Sequence, residues 1–208
     1  MKKYLIAMLL ALVCFGVNVQ AQSTPAAQTE TKTEDETNLE TQLYLIVGTN
    51  QEAAESKLPP ALDSVLKQMR ATLPFKNYRL VSTLINRVKN NGRLQLNWVG
   101  GPMASFGSTA STTPSFSNFN IRQVNLVRNS QGQQTIQMVG FNFGARIPIQ
   151  VGAVAANGEV KPVTNYETTG LGTDISMREG EPVIVGTLNV GPSGDAIILV
   201  VSGRRTQN

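Results

Sequence analysis

Few residues in this chain could do chemistry. Its 208 residues include no His and a single Cys, Cys14. Without His there is no imidazole base, no imidazole metal ligand, and no Ser-His or Cys-His pair. A carboxylate pair could still serve as acid and base. The available pairs are Asp174 with Glu179 and Glu181, or Glu159 with Glu167. Glu179-Gly180-Glu181 reads as a strand turn, where carboxylates are ordinarily solvated. Asp174, Glu179 and Glu181 lack the regular acidic spacing of a calcium loop. A Ser nucleophile with a Lys base is open on composition, but no Gly-x-Ser-x-Gly elbow occurs. Gly170-Leu171-Gly172 lacks the third glycine and following helix of a phosphate-binding turn. No catalytic residue, metal site or cofactor is therefore expected. The residues singled out for contact are Phe106 and Phe116. They stand in an uncharged Gly/Ser/Thr/Pro stretch, Gly100–Asn118.

The elements that would position these residues are mostly strands. Leu43–Val47 is a short apolar run rich in β formers and closed by Gly48. Pro59 and Pro60 sit where a helix can start without N–H donors. Leu62, Val65, Leu66, Met69 and Leu73 then follow at steps of three and four, an apolar stripe that ends at Pro74. Tyr78–Val88 reads as a strand, and Asn90-Asn91-Gly92 carries the Asn-Gly hairpin signal. Arg93–Val99 alternates, with Leu94, Leu96 and Trp98 on one face. Residues 43–99 are thus expected to form a compact β-α-β-β unit. The stretch 100–118 is expected to be a loop that is either mobile or a contact surface.

Beyond it, 119–203 is read as antiparallel β. Phe119–Arg128 and Thr135–Phe143 flank Asn129–Gly132 as a hairpin. A short strand at Ile147–Val151 contains Pro148, which favours an edge or a bulge. Asn157-Gly158 marks another turn. Val160–Tyr166, Thr173–Arg178, Pro182–Leu188 and Ala196–Val201 follow as strands. Ile197–Val201 is continuously apolar, as in a central strand buried on both faces. Residues 204–208 are read as a basic tail. The fold expected is α+β and β-dominated, the β-α-β-β unit preceding an antiparallel sheet or sandwich.

The N-terminus reads as an address. Lys2 and Lys3 precede a 14-residue apolar segment, Tyr4–Val17, too short to span comfortably. Val19-Gln20-Ala21 suits cleavage after Ala21. Removing residues 1–21 takes away Cys14 and leaves 16 Lys and Arg against 14 Asp and Glu, a net charge of +2. That balance does not favour a nucleic-acid partner. An exported chain without disulfides fits a bacterial envelope, periplasmic or secreted, with no integral span after cleavage. Residues 22–42 hold five acids against Lys32 and almost no large apolar side chain, so they are read as a disordered acidic linker.

The C-terminal third resembles a known family. Gly144-Ala145-Arg146-Ile147-Pro148-Ile149 is followed by Val163–Ile175, containing Tyr166 and Gly170, and then by Arg178–Leu188, containing Gly180-Glu181 and Gly186. In that order these pieces are similar to the β-core of secretins, the outer-membrane channels of secretion systems and type IV pili. Thr187 stands where that family has a second glycine, and the pieces lie too close together for its membrane-crossing strands. The resemblance therefore implies a soluble secretin-like module. It implies partners in an envelope or outer-membrane protein complex, engaged through exposed sheet edges. Two other functions stay open: an exported binding protein for glycan or peptide using the 100–118 loop, and a carboxylate-dependent hydrolase.

Overall fold

The computed structural model describes residues 37–52, 58–100, 113–156, 159–190 and 194–206, without the side chains of 150 and 154–162. The expected signal segment, residues 22–36 of the linker, and Phe106 lie outside the described residues. Among the described residues eight strands run in chain order: β1 Asn38–Thr49, β2 Asn77–Lys89, β3 Gly92–Val99, β4 Phe116–Arg128, β5 Gln134–Ala156, β6 Glu159–Arg178, β7 Val183–Val190 and β8 Asp195–Arg205. A 3-10 turn, Pro60–Leu62, leads into helix α1, Asp63–Thr72. The strands form two four-stranded sheets, ordered β2-β1-β8-β7 and β3-β4-β5-β6. Every neighbouring pair is antiparallel. The architecture is the β-dominated α+β class expected.

The layers follow from which strands are apolar on one face and which on both. In β1 and β8, Leu43, Leu45, Ile197, Leu199 and Val201 join the core between the sheets. Their chain neighbours Tyr44, Ile46, Ile198 and Val200 pack instead with Leu62, Val65 and Met69 of the helical segment. The unbroken apolar run at 197–201 is therefore a central strand covered by a helix on one side and a sheet on the other. The helix is fixed at its end as well as along its stripe. Leu73 N donates to Met69 O at 2.8 Å, and the Tyr78 hydroxyl donates to the same carbonyl at 3.0 Å. Burial raises the Tyr78 phenol above its ordinary range. In the second sheet, Phe119, Phe141 and Phe143 are fully buried. Burial of each such ring is worth about 1.5–3 kcal/mol.

Several expected boundaries move. The turn at Asn90-Asn91 exists, and Asn91 takes the left-handed backbone (φ 62°) that Asn tolerates. It does not close a hairpin, because β2 lies in the first sheet and β3 in the second, paired with β4. Asn91 N donates to Val124 O at 2.8 Å, and the Asn90 side chain accepts from Leu126 N at 2.7 Å, so the corner is pinned to β4. The apolar face of β3 is covered by the other sheet, where Leu94, Leu96 and Trp98 meet the inter-sheet core. The β-α-β-β unit over 43–99 is thus divided between layers.

The linker also ends earlier than residue 42. Residues 38–42 belong to β1, with Leu39 and Thr41 buried. The strand is carried there by pairing on both sides, Glu40 opposite Arg87 and Arg204. Arg204 and Arg205 are correspondingly the end of β8, not a frayed tail. The loop expected over 100–118 gives way to β4 at Phe116. Ile147–Val151 is a stretch of the 23-residue β5, and Val160–Tyr166 and Thr173–Arg178 are parts of the 20-residue β6. The pairing of β5 with β4 stops at Arg146, whereas its pairing with β6 continues to Ala156↔Glu159, on either side of Asn157-Gly158. Pro148 falls in this overhanging ribbon, in keeping with an edge position.

Candidate ligand-binding face

Where β3 and β4 cover it, the second sheet commits its inner face to the core, so an exposed site on that part of the sheet lies on its outer face. Period-2 alternation places there Arg93, Gln95, Asn97 and Val99 of β3, opposite the core-facing Leu94, Leu96 and Trp98. On β4 the outer set is Phe116, Asn118, Asn120 and Arg122. The register aligns these residues across the strands. One row runs Val99, Phe116, Arg146, Thr168; the next runs Asn97, Asn118, Gly144, Gly170; a third runs Gln95, Asn120, Asn142, Gly172. The result is a band of amides and glycines with an aromatic end and a charged end.

At the aromatic end Phe116 lies 5.9 Å from Tyr166, ring centroid to centroid, and the Arg146 guanidinium sits 5.3 Å from the Tyr166 centroid. The Tyr166 hydroxyl donates to Pro114 O at 2.9 Å, which ties β6 to the segment entering β4. A hollow of about 430 Å³ opens here, lined by Val99, Phe116, Asn118, Gly144, Arg146 and Thr168 among others. At the opposite end Gly140 takes φ 64° at a register shift between Met138 and Phe141. Its N–H donates to Asp174 Oδ1 at 2.6 Å, and Arg122 lies across it. A second, shallower depression covers Asn120, Asn142, Gly172 and Asp174.

Two of the glycines between the two ends, Gly144 and Gly170, sit where neighbours approach closely. A Cβ on Gly170 would sit 2.9 Å from Phe143 O, and one on Gly144 would collide with the Asn118 side chain. Their bare backbone forms the floor between taller side chains. The charges on this face are unbalanced. Arg93, Arg122, Arg146 and Arg178 are exposed. Asp174 is the single acid among the described residues of the outer face, and one of its oxygens is already bonded to Gly140.

Of the two residues expected to make contact, Phe116 is on this face, 41% exposed, as the first residue of β4. Asn118, Asn120, Arg122, Asn142, Arg146 and Tyr166 were not singled out from sequence. The signal that could have found the first three is the alternation Phe116-x-Asn118-x-Asn120-x-Arg122, which reads as an outer face once the strand is known to start at 116.

The acids weighed for catalysis are engaged elsewhere or apart. Glu179 accepts from Arg205 Nε at 2.9 and 3.1 Å and from Arg205 N at 2.9 Å. Burial would raise its carboxyl, but the hydrogen bonds from Arg205 outweigh it and hold the group below the ordinary range. Glu159 and Glu167 stand eight residues apart on one strand, about 26 Å at the usual rise. Ser64 and Lys67 of α1 have the Ser-x-x-Lys spacing, but both are exposed and neither borders the hollows of the outer face. Among the described residues no three acids or thiols gather as a metal site, and no helix is long and apolar enough to cross a membrane.

No protein-family model and no curated protein matches the chain. Solved structures do. The Salmonella SPI-1 type III secretion injectisome secretin InvG is 8% identical, with a TM-score of 0.31, over 83% of this chain and 66% of that one. The V. cholerae type IV competence pilus secretin PilQ is 9% identical, with a TM-score of 0.32, over 83% and 58%. The Klebsiella pneumoniae type II secretion system outer membrane complex of PulD, PulS and the PulC HR domain matches at 11% identity and a TM-score of 0.30, over 83% and 39%. The chain spans less than two thirds of the length of each of these proteins.

Proposed function

We propose that the protein is a non-enzymatic exported module of the bacterial cell envelope, working by protein–protein contact in a secretion or pilus-type assembly. The observation that carries this reading is the overhanging β5–β6 ribbon. From Ile147 to Ala156, β5 pairs with β6 but has no strand partner on its β4 side among the described residues; Ile147 and Ile149 at its base are buried, and the exposed part begins at Val151. Val151, Gly152 and Ala153 are exposed there, Val151 by 61%, and Val163 on β6 by 40%. An open strand edge beside exposed β-branched side chains is the substrate for strand addition by a partner. Two of the three pieces that resemble the secretin β-core also support the reading, because they pair directly: Gly144–Ile149 is β5 at the base of the ribbon, opposite Asn165–Gly170 of β6, whereas Arg178–Leu188 runs into β7 of the other sheet. The signal-like N-terminus supports export.

The reading is tested by expressing the chain in its native host, crosslinking, and identifying what co-purifies from solubilised envelopes. Val151→Lys with Val163→Lys should abolish co-purification of the envelope partners while leaving the melting temperature within about 2 °C, since both side chains are exposed. A mature N-terminus at Gln22, by mass spectrometry, is the companion expectation. A chain that stays in the cytoplasm, or that returns no envelope protein, would overturn the proposal.

A further inference from the structure

The outer face of the second sheet is separate from the ribbon edge, and its chemistry points to a different kind of ligand. We infer that it is a binding trough for an acidic polysaccharide, one that bears carboxylates along its chain. Three features lead there. The first is charge: four arginines face outward against one aspartate that is already hydrogen-bonded. Arginine, unlike lysine, presents a planar fork that matches a carboxylate bidentately. The second is the spacing of the positive ends. Arg146 and the Gly140 position beside Arg122 are six residues apart on β5, about 20 Å at the usual rise, so an extended oligomer is needed to meet both. The third is what lies between. Asn118, Asn120 and Asn142 offer amide donors and acceptors over a floor lowered by Gly144, Gly170 and Gly172, which suits a chain of hydroxyl groups. The exposed Phe116, beside Tyr166, supplies an apolar surface at one end for a sugar ring.

The same features disfavour other polyanions and peptides. A single nucleic-acid strand is held by bases stacking on successive aromatics, and the aromatics here are confined to one end of the trough. A peptide is captured on a sheet by its edge, with pockets for alternate side chains. The middle of this face presents amides and bare glycine backbone, and the one hollow with an apolar lining described on it lies at the Phe116 end, not at alternating positions along a strand edge.

The test is affinity electrophoresis of the full chain through gels containing polygalacturonate, with its methyl-esterified form in parallel and Kd measured by titration calorimetry at fixed ionic strength. Retardation by the free acid should exceed that by the ester at least tenfold. Arg122→Gln with Arg146→Gln should raise Kd at least about tenfold, equivalent to about 1.4 kcal/mol, with an unchanged melting temperature. Asn118→Leu with Asn142→Leu keeps every charge and should also weaken binding severalfold. Equal binding of the ester would overturn the inference. So would an unchanged Kd in the arginine variant. Loss in the arginine variant but none in the amide variant, or equally tight binding of poly(dT), would mark a general anion patch and overturn the glycan assignment.

Discussion

Leu39→Ala is the sharpest test of where the folded unit begins. Leu39 stands in a stretch whose composition, Glu-, Thr- and Gln-rich, is that of a disordered linker. In the structure it is 0% exposed, faces the inter-sheet core, and pairs with Val88 on one side and Arg205 on the other. Truncating a fully buried Leu costs about 2.7–5 kcal/mol, the upper end where the surroundings cannot collapse. Leu39 is the second residue of its strand, where the chain relaxes more easily, so about 3 kcal/mol is the expectation. For a unit of the size of Thr33–Asn208 each kcal/mol lowers Tm by about 2–4 °C, giving a fall of roughly 6–12 °C. Urea titration at 25 °C should show the same loss in midpoint with an unchanged slope. The neighbouring Glu40→Ala is the control. Glu40 bonds Arg204 at 2.8 Å, but the Arg204 side chain is 63% exposed, so the pair is worth less than about 1 kcal/mol. If Leu39→Ala is no worse than Glu40→Ala, residues 38–42 do not pack as β1 and the reasoning fails.

Three further substitutions probe the core and its charges. Thr41 faces the core with its hydroxyl buried and without a hydrogen-bond partner among the described residues. Thr41→Val should therefore raise stability by about 1 kcal/mol in urea titration; a loss would mean the hydroxyl is satisfied. A Cβ on Gly48 would lie 2.5 Å from Phe75 Cδ2, so Gly48→Ala should cost about 1–3 kcal/mol and loosen the packing of the helix side, read as faster amide exchange in α1. Glu179 has a folded carboxyl below its ordinary value of 4.5, so its contribution is full above that value and is lost as pH falls through the lower folded one. Wild type should consequently lose stability faster than Glu179→Gln below pH 4.5, and parallel curves would refute the Arg205 pairing.

Alternation and periodicity carried the reading where one strand's own residues decide its environment. The stripe of α1, the doubly buried run at 197–201, and the hairpin across Asn129–Gly132 are all of this kind, the last with Asn129 N bonded to Gln133 O at 3.0 Å. Composition failed where a strand is held by its partners. Residues 38–42 have little apolar content, yet β2 and β8 flank them on both sides and supply main-chain pairing that no window of sequence displays. The break expected between residues 166 and 173 failed for a related reason. Gly170 and Gly172 lie within that gap, but β6 runs through them extended, and at Gly170 a Cβ would come within 2.9 Å of Phe143 O on β5.

The corner at Asn90-Asn91 shows why the candidate face was harder to see than the fold. The alternation of β3 states that Leu94, Leu96 and Trp98 need cover, and either the helix or a second sheet would satisfy it. What decides is pairing at long range. Asn91 N reaches Val124 O, more than thirty residues on, and that bond commits β3 to β4. Once committed, the polar face of β3 is aligned with those of three strands contributed from elsewhere in the chain. Gln95 meets Asn120, Asn142 and Gly172; Asn97 meets Asn118, Gly144 and Gly170. Each of these residues is ordinary in its own segment. A slip of one residue in any pairing would turn its contribution into the core, so the buried aromatic residues on the inner face are also what holds the outer rows in line. The chemistry of the face is thus a property of the register, and the register is enforced by Phe119, Phe141 and Phe143 on the other side of the same strands.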